Sequence, residues 1–135
     1  MGRRRFAYVA LCALIVIAIG WALARTPDSA TTTAGVPACP LATLPHDVAD
    51  TVRVIRSNGP FPFPRNDGVV FGNREHRLPD QIRGYYHEYT VNSPGARSRS
   101  TRRIITGGSA LTNPLQYFYT GDHYDSFCLV TDAGR

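Results

Sequence analysis

Residues 84–107 read GYYHEYTVNSPGARSRSTRRIITG: one carboxylate, Glu88, followed by four arginines, Arg97, Arg99, Arg102 and Arg103. Strand alternation puts Glu88 on the face of Tyr86 and Thr90, and His87 on the other face with Tyr85, Tyr89 and Val91. The Pro94-Gly95 turn lets the arginine run return antiparallel, which would set some guanidinium groups beside the carboxylate. Such an arrangement is either a structural ion-pair network or a base next to an anion site. Of His46, His76, His87 and His123, only His123 falls at a hairpin tip, where functional side chains tend to be placed. One carboxylate, one histidine and two arginines are sufficient parts for cutting a phosphodiester in RNA without a metal. The base takes the ribose 2′-hydroxyl proton, the acid protonates the departing 5′-oxygen, and guanidinium groups stabilise the charge at phosphorus. The chemistry alone leaves this as one hypothesis among several.

Positioning those groups takes a small α+β domain. Residues 45–57 (PHDVADTVRVIRS) carry the one good helical pattern, with Val48, Val52 and Ile55 in a stripe. Thr43 is expected to cap its start, and Asn58-Gly59 to stop it. Residues 61–64 (FPFP) suit a loop over the core, and Asp67-Gly68 a turn before a short strand at 69–71. Further strands are expected at 85–91, 103–106, 117–120 and 124–130. One helix followed by four or five short strands predicts an antiparallel sheet with the helix on one face.

The chain has 135 residues, room for one domain and an appendage, and all fifteen of its basic residues are Arg. From Val36 onward eleven Arg face nine acids, so the domain has no broad basic surface for long duplexes. Arg3, Arg4 and Arg5 precede an uncharged run at 6–24. As a helix, that run would rise about 28 Å, close to a bilayer core. Residues 1–25 are therefore read as a signal peptide or a membrane signal-anchor that sends the rest of the chain outward. The protein is expected to be secreted, or tethered to the outer face of the cytoplasmic membrane. Residues 26–37 are read as a flexible tether and 38–135 as the folded domain. Cys39 and Cys128 lie near the two ends of that domain, and in an oxidising compartment they are expected to pair.

The segments NGPFPFPRNDGVVFGNRE, GYYHEYTV, TRRIITG and YTGDHY, in this order, resemble the small secreted microbial guanyl-specific ribonucleases of the ribonuclease Sa and barnase group. The resemblance covers residues 37–132 and implies the following roles. Glu88 matches the general base, His123 the general acid, and Arg99 and Arg103 the phosphate-binding arginines. Asn73, Arg74 and Glu75 match the guanine loop, whose N–H groups and acid answer guanine's acceptor and donor edge. Phe71 and Arg74 would cover the base, and Tyr124 would lie beside the phosphate. Gly72 departs from that pattern, and the loop at 108–116 is longer and is expected close enough to affect access. Single-stranded RNA is the implied substrate, DNA is not, and neither a metal nor another cofactor is implied. A barstar-like protein inhibitor is a partner by analogy. The competing reading is a non-catalytic RNA-binding or membrane-tethered protein on the same fold.

Overall fold

Val48, Val52 and Ile55 are buried on the inner stripe of helix α1 (His46–Arg56) in the computed structural model, which describes residues 35–134. The helix stops where Asn58 (φ 58°) and Gly59 (φ 97°) turn left-handed, as the Asn-Gly pair requires. Its start differs from expectation. Pro45 is the N-cap residue, and Thr43 closes a preceding 3-10 turn (Leu41–Thr43), its hydroxyl donating to the Pro40 carbonyl at 2.8 Å. Thr43 lies two residues before the N-cap, and Pro45 has no side-chain acceptor to offer, so the helix starts without a side-chain cap.

Six strands form one sheet: β1 (Ala38–Pro40), β2 (Val69–Val70), β3 (Tyr86–Thr90), β4 (Arg103–Gly107), β5 (Gln116–Thr120) and β6 (Cys128–Thr131). Their spatial order is β1-β6-β5-β4-β3-β2, antiparallel except for β1, which runs parallel to β6. The α+β plan is as expected, and the parallel edge strand is additional. Residues 124–127, expected to open the last strand, are not in it.

The sheet has a core on each face. Tyr89, Val91, Ile104, Tyr117 and Val130 pack with the α1 stripe on one side. Tyr86, Ile105, Phe118 and Phe127 pack with Val36 and Leu78 on the other. Period-2 alternation along β3 and β4 divides the residues this way. Val36 lies within the sequence-defined tether, yet it is buried, and the Pro37 carbonyl accepts from Leu129 N–H at 2.8 Å. Ordered packing therefore starts before residue 38. Cys39 and Cys128 form a disulfide that ties β1 to β6 across 89 residues of sequence. The apolar run at 6–24 lies outside the described residues, among which no helix is long and apolar enough to cross a membrane.

Candidate active site

One cross-strand row builds the chemical centre. Thr90, Arg103 and Thr120 are register partners on β3, β4 and β5, on the sheet face that also carries Glu88. Arg103 is fully buried and reaches diagonally to Glu88, its Nε lying 3.7 Å from the carboxylate. Thr90 Oγ1 accepts from Arg99 Nε at 2.6 Å, which brings Arg99 Nη2 to 3.7 Å from the same carboxylate oxygen. Thr120 Oγ1 accepts from Tyr124 N–H at 3.0 Å and donates to Asp122, fixing the turn between β5 and β6. Tyr124 then donates its phenol hydrogen to Glu88 and accepts from Arg103 Nε at 3.2 Å. Its ring stacks on Phe71, with centroids 5.3 Å apart, and stands 4.8 Å from the imidazole of His123.

At 3.7 Å both arginines attract Glu88 without hydrogen-bonding it. Arg99 Nη2 is shielded from solvent and has no hydrogen-bond partner among the described residues. A charged donor left open beside a carboxylate is matched to an oxygen of an incoming anion. Arg103 is held by the Ser100 and Arg102 carbonyls. The remaining arginines of the run behave differently: Arg102 turns to the opposite side and pairs with Asp47 of α1 at 2.6 Å and with Ser93, while Arg97 is exposed.

A cleft of about 590 Å³ opens beside Glu88 and Tyr124. Phe71, Gly72, Asn73, Arg74 and Glu75 line it, as do Gln81, Ile82, Arg83 and Tyr86. The loop at 72–78 leaves β2 after Phe71 N–H donates to the Tyr86 carbonyl at 2.9 Å. The buried Asn73 side chain spans the loop, donating to the Leu78 carbonyl at 2.8 Å and accepting from Leu78 N–H at 3.0 Å. Its amide therefore shapes the loop and leaves the backbone and Glu75 to face a ligand. Asn73 (φ 44°) and His76 (φ 51°) take the left-handed conformation that curls the loop.

The electrostatics separate working groups from supporting ones. Burial, and then the bond to Glu88, holds the Tyr124 phenol above its usual range, so it remains a donor. Three hydrogen bonds from Ser126 and Thr120 pull the Asp122 carboxylate down to about 2. Arg102 lowers Asp47 in the same way. His87 points away from Glu88, and burial pushes its imidazole below the usual range. Its buried Nδ1 has no hydrogen bond among the described residues.

Glu88, Arg99, Arg103, Phe71 and Tyr124 come together in space, and Asn73, Arg74 and Glu75 line the adjoining cleft. His123 joins the group through its ring contact with Tyr124, and its φ of 60° reflects the tight turn. The loop at 108–116 is placed differently from expectation. None of it lines the cleft, and Pro114, Leu115 and Gln116 instead border a groove with β6 and residues 132–134. Sequence reasoning missed Gln81, Ile82 and Arg83. An isoleucine between Asp80 and Gly84, with no periodic partner, was the available signal.

A sequence profile for the family described as ribonuclease matches residues 27–131, more than half of the chain. Guanyl-specific ribonuclease Sa of Kitasatospora aureofaciens is 56% identical over 90 residues, covering 67% of this chain and 88% of that protein. Guanyl-specific ribonuclease St of Saccharopolyspora erythraea is 47% identical over 98 residues, covering 73% and 91%. Among solved structures, ribonuclease Sa2 with guanosine-2′-cyclophosphate superimposes with a TM-score of 0.62 at 42% identity, covering 70% of this chain and 95% of that one. A second structure of Sa2, from a study of its complexes with mononucleotides, has the same TM-score at 41% identity.

Proposed function

The chain belongs to the ribonuclease family, and from that premise we propose that it is a guanyl-preferring endoribonuclease acting on single-stranded RNA. The observation that carries this reading is Glu88 flanked by Arg99 and Arg103, with an open guanidinium donor, beside the cleft that holds Glu75. Glu88 takes the 2′-hydroxyl proton of a guanosine, and the freed oxygen attacks the adjacent phosphorus. His123 gives a proton to the leaving 5′-oxygen, and a 2′,3′-cyclic phosphate results. Water then opens the ring with the two roles exchanged. Arg99 and Arg103 stabilise the charge that builds on the phosphorane, and Tyr124 steadies Glu88. Glu75 accepts from guanine N1–H and N2–H while loop N–H groups donate to O6 and N7. The chemistry requires no metal or cofactor, and lack of a 2′-hydroxyl makes DNA a non-substrate.

The test is turnover of GpU and ApU by the full chain in EDTA. GpU should be cut far faster, leaving a 3′-terminal guanosine. Equal rates on ApU would defeat the role of Glu75, and loss of activity in EDTA would defeat the metal-free mechanism. Undiminished turnover in both Glu88→Gln and His123→Ala would sink the assignment.

Export belongs to the same proposal: residues 1–25 direct the domain outward, so the enzyme is secreted or held at the outer membrane face. N-terminal sequencing of the exported protein distinguishes the two. A barstar-like inhibitor would offer carboxylates to the arginines of the cleft, and competition between it and a mononucleotide checks that partner.

A further inference from the structure

The cleft extends beyond the groups the proposed reaction uses. Gln81, Ile82 and Arg83 line it at the end where the chain enters β3. A tight turn displays them: Tyr85 N–H donates to the Ile82 carbonyl at 3.1 Å, and Gly84 takes the left-handed φ of 89° that the turn needs. Ile82 is 81% exposed, so its aliphatic surface is open to the cleft that it lines. Arg83 is exposed, and neither it nor Arg74, which lines the same cleft, has a hydrogen bond or ion pair among the described residues.

Position along β3 gives the site a direction. Arg99 and Arg103 are anchored at its Thr90 end, and Glu88 lies in the middle. The base loop leaves beside Tyr86, next to the turn that carries Arg83. With a guanosine in the base loop, its 3′-phosphate lies toward Glu88, the buried Arg103 and the partly buried Arg99. The leaving nucleotide departs past His123, which is not part of the cleft lining. What remains at the Gln81–Arg83 end is the 5′ side of the guanosine.

We infer that Ile82 and Arg83 form a subsite for the nucleotide upstream of the guanosine. Arg83 takes the phosphate that joins the two nucleotides, and Ile82 covers the flat face of the upstream base. A guanidinium suits the phosphate by charge and geometry, and an exposed aliphatic surface suits a π-face. The inference rests on the cleft being a guanosine site, and it extends the recognised unit from GpN to NpGpN.

The experiment compares kcat/KM of the full chain on GpU, pGpU and ApGpU. The wild type should gain roughly five- to tenfold from GpU to pGpU, as one solvent-exposed charge-assisted contact gives, with a further increment for ApGpU. In Arg83→Gln the pGpU/GpU ratio should fall close to one, while Arg83→Lys keeps part of it. Ile82→Ser should remove only the step from pGpU to ApGpU. The salt dependence for pGpU should also flatten in Arg83→Gln, by about 0.7 in the log–log slope for one phosphate contact on a single strand. A wild-type ratio of one, or a ratio untouched by Arg83→Gln, overturns the subsite while GpU turnover upholds the ribonuclease reading. Failure to cut all three substrates sinks both. Far-UV circular dichroism verifies that the variants are folded.

Discussion

Tyr124 joins more parts of the site than any other side chain in it. It stacks on Phe71, meets His123, donates to Glu88 and accepts from Arg103. Tyr124→Phe keeps the ring and removes the hydroxyl. Glu88 then loses its direct hydrogen bond and is left with two arginines too far away to replace it. We expect kcat to fall about tenfold with a smaller change in KM, since a positioned proton-transfer group contributes on the order of 10²–10⁴ and only its alignment is affected. Steady-state kinetics on GpU check this. His87 gives a pH prediction of the opposite kind. Its folded-state pKa is depressed by burial, so the native state favours neutral imidazole. Its contribution is full above the ordinary histidine value of 6.5 and is lost as pH falls from there through the lower folded value. Replacing it with Leu, an apolar side chain with no proton to gain, should flatten the stability profile over that acid window in urea titrations. Asp122 acts lower: its support for the His123 turn is present above the usual 3.8 and disappears as pH falls through about 2.

Elements place these residues through contacts that alternation reveals only in part. The faces of β3 and the return of the arginine run were legible because period 2 and a Pro-Gly turn determine them. The partner of Arg102 was not, because Asp47 lies 55 residues away and no local pattern links them. That pair anchors the arginine loop to α1. Asp47→Ala should destabilise the fold by ~2–3 kcal/mol, since it removes the only carboxylate paired with this largely shielded guanidinium among the described residues and leaves it the neutral hydroxyls of Ser93 and Tyr119. Equilibrium urea unfolding measures it. The sign with pH follows from the lowered carboxylate: the contribution is present above the usual carboxylate range and is lost as acid protonates Asp47. The loop at 73–75 was singled out for base recognition only by its resemblance to known ribonucleases. Asn73's structural use was hidden, because its amide closes on Leu78 only once the loop has curled. Asn73→Ala should therefore cost discrimination between GpU and ApU more than it costs kcat on GpU. Gly72 is less constrained: it has no left-handed φ, and an added Cβ would meet Arg74 at an ordinary 3.6 Å. Gly72→Ala should stabilise by about 0.5 kcal/mol through the unfolded chain, without loss of guanine preference.

At the scale of the molecule, the disulfide and the sheet divide the work. Cys39–Cys128 closes a span of 89 residues, so removing it with Cys39→Ser and Cys128→Ser should cost ~2–4 kcal/mol, read as a lower urea midpoint. The pairing was legible from two cysteines near the domain ends. The parallel edge strand they tie down was not, because three residues carry too little pattern to announce a strand. The sheet also has two unlike faces, one packed under α1 and one carrying Glu88, Arg103 and the cleft. For an engineer this makes the protein a scaffold with separable tasks: the helix side can be tuned for heat tolerance while the opposite side is redesigned for another base. A partly open pocket of about 60 Å³ bordered by Val54, Ile55, Phe61 and Tyr89 is the place to start, with Val54→Ile raising the melting temperature at constant kcat/KM.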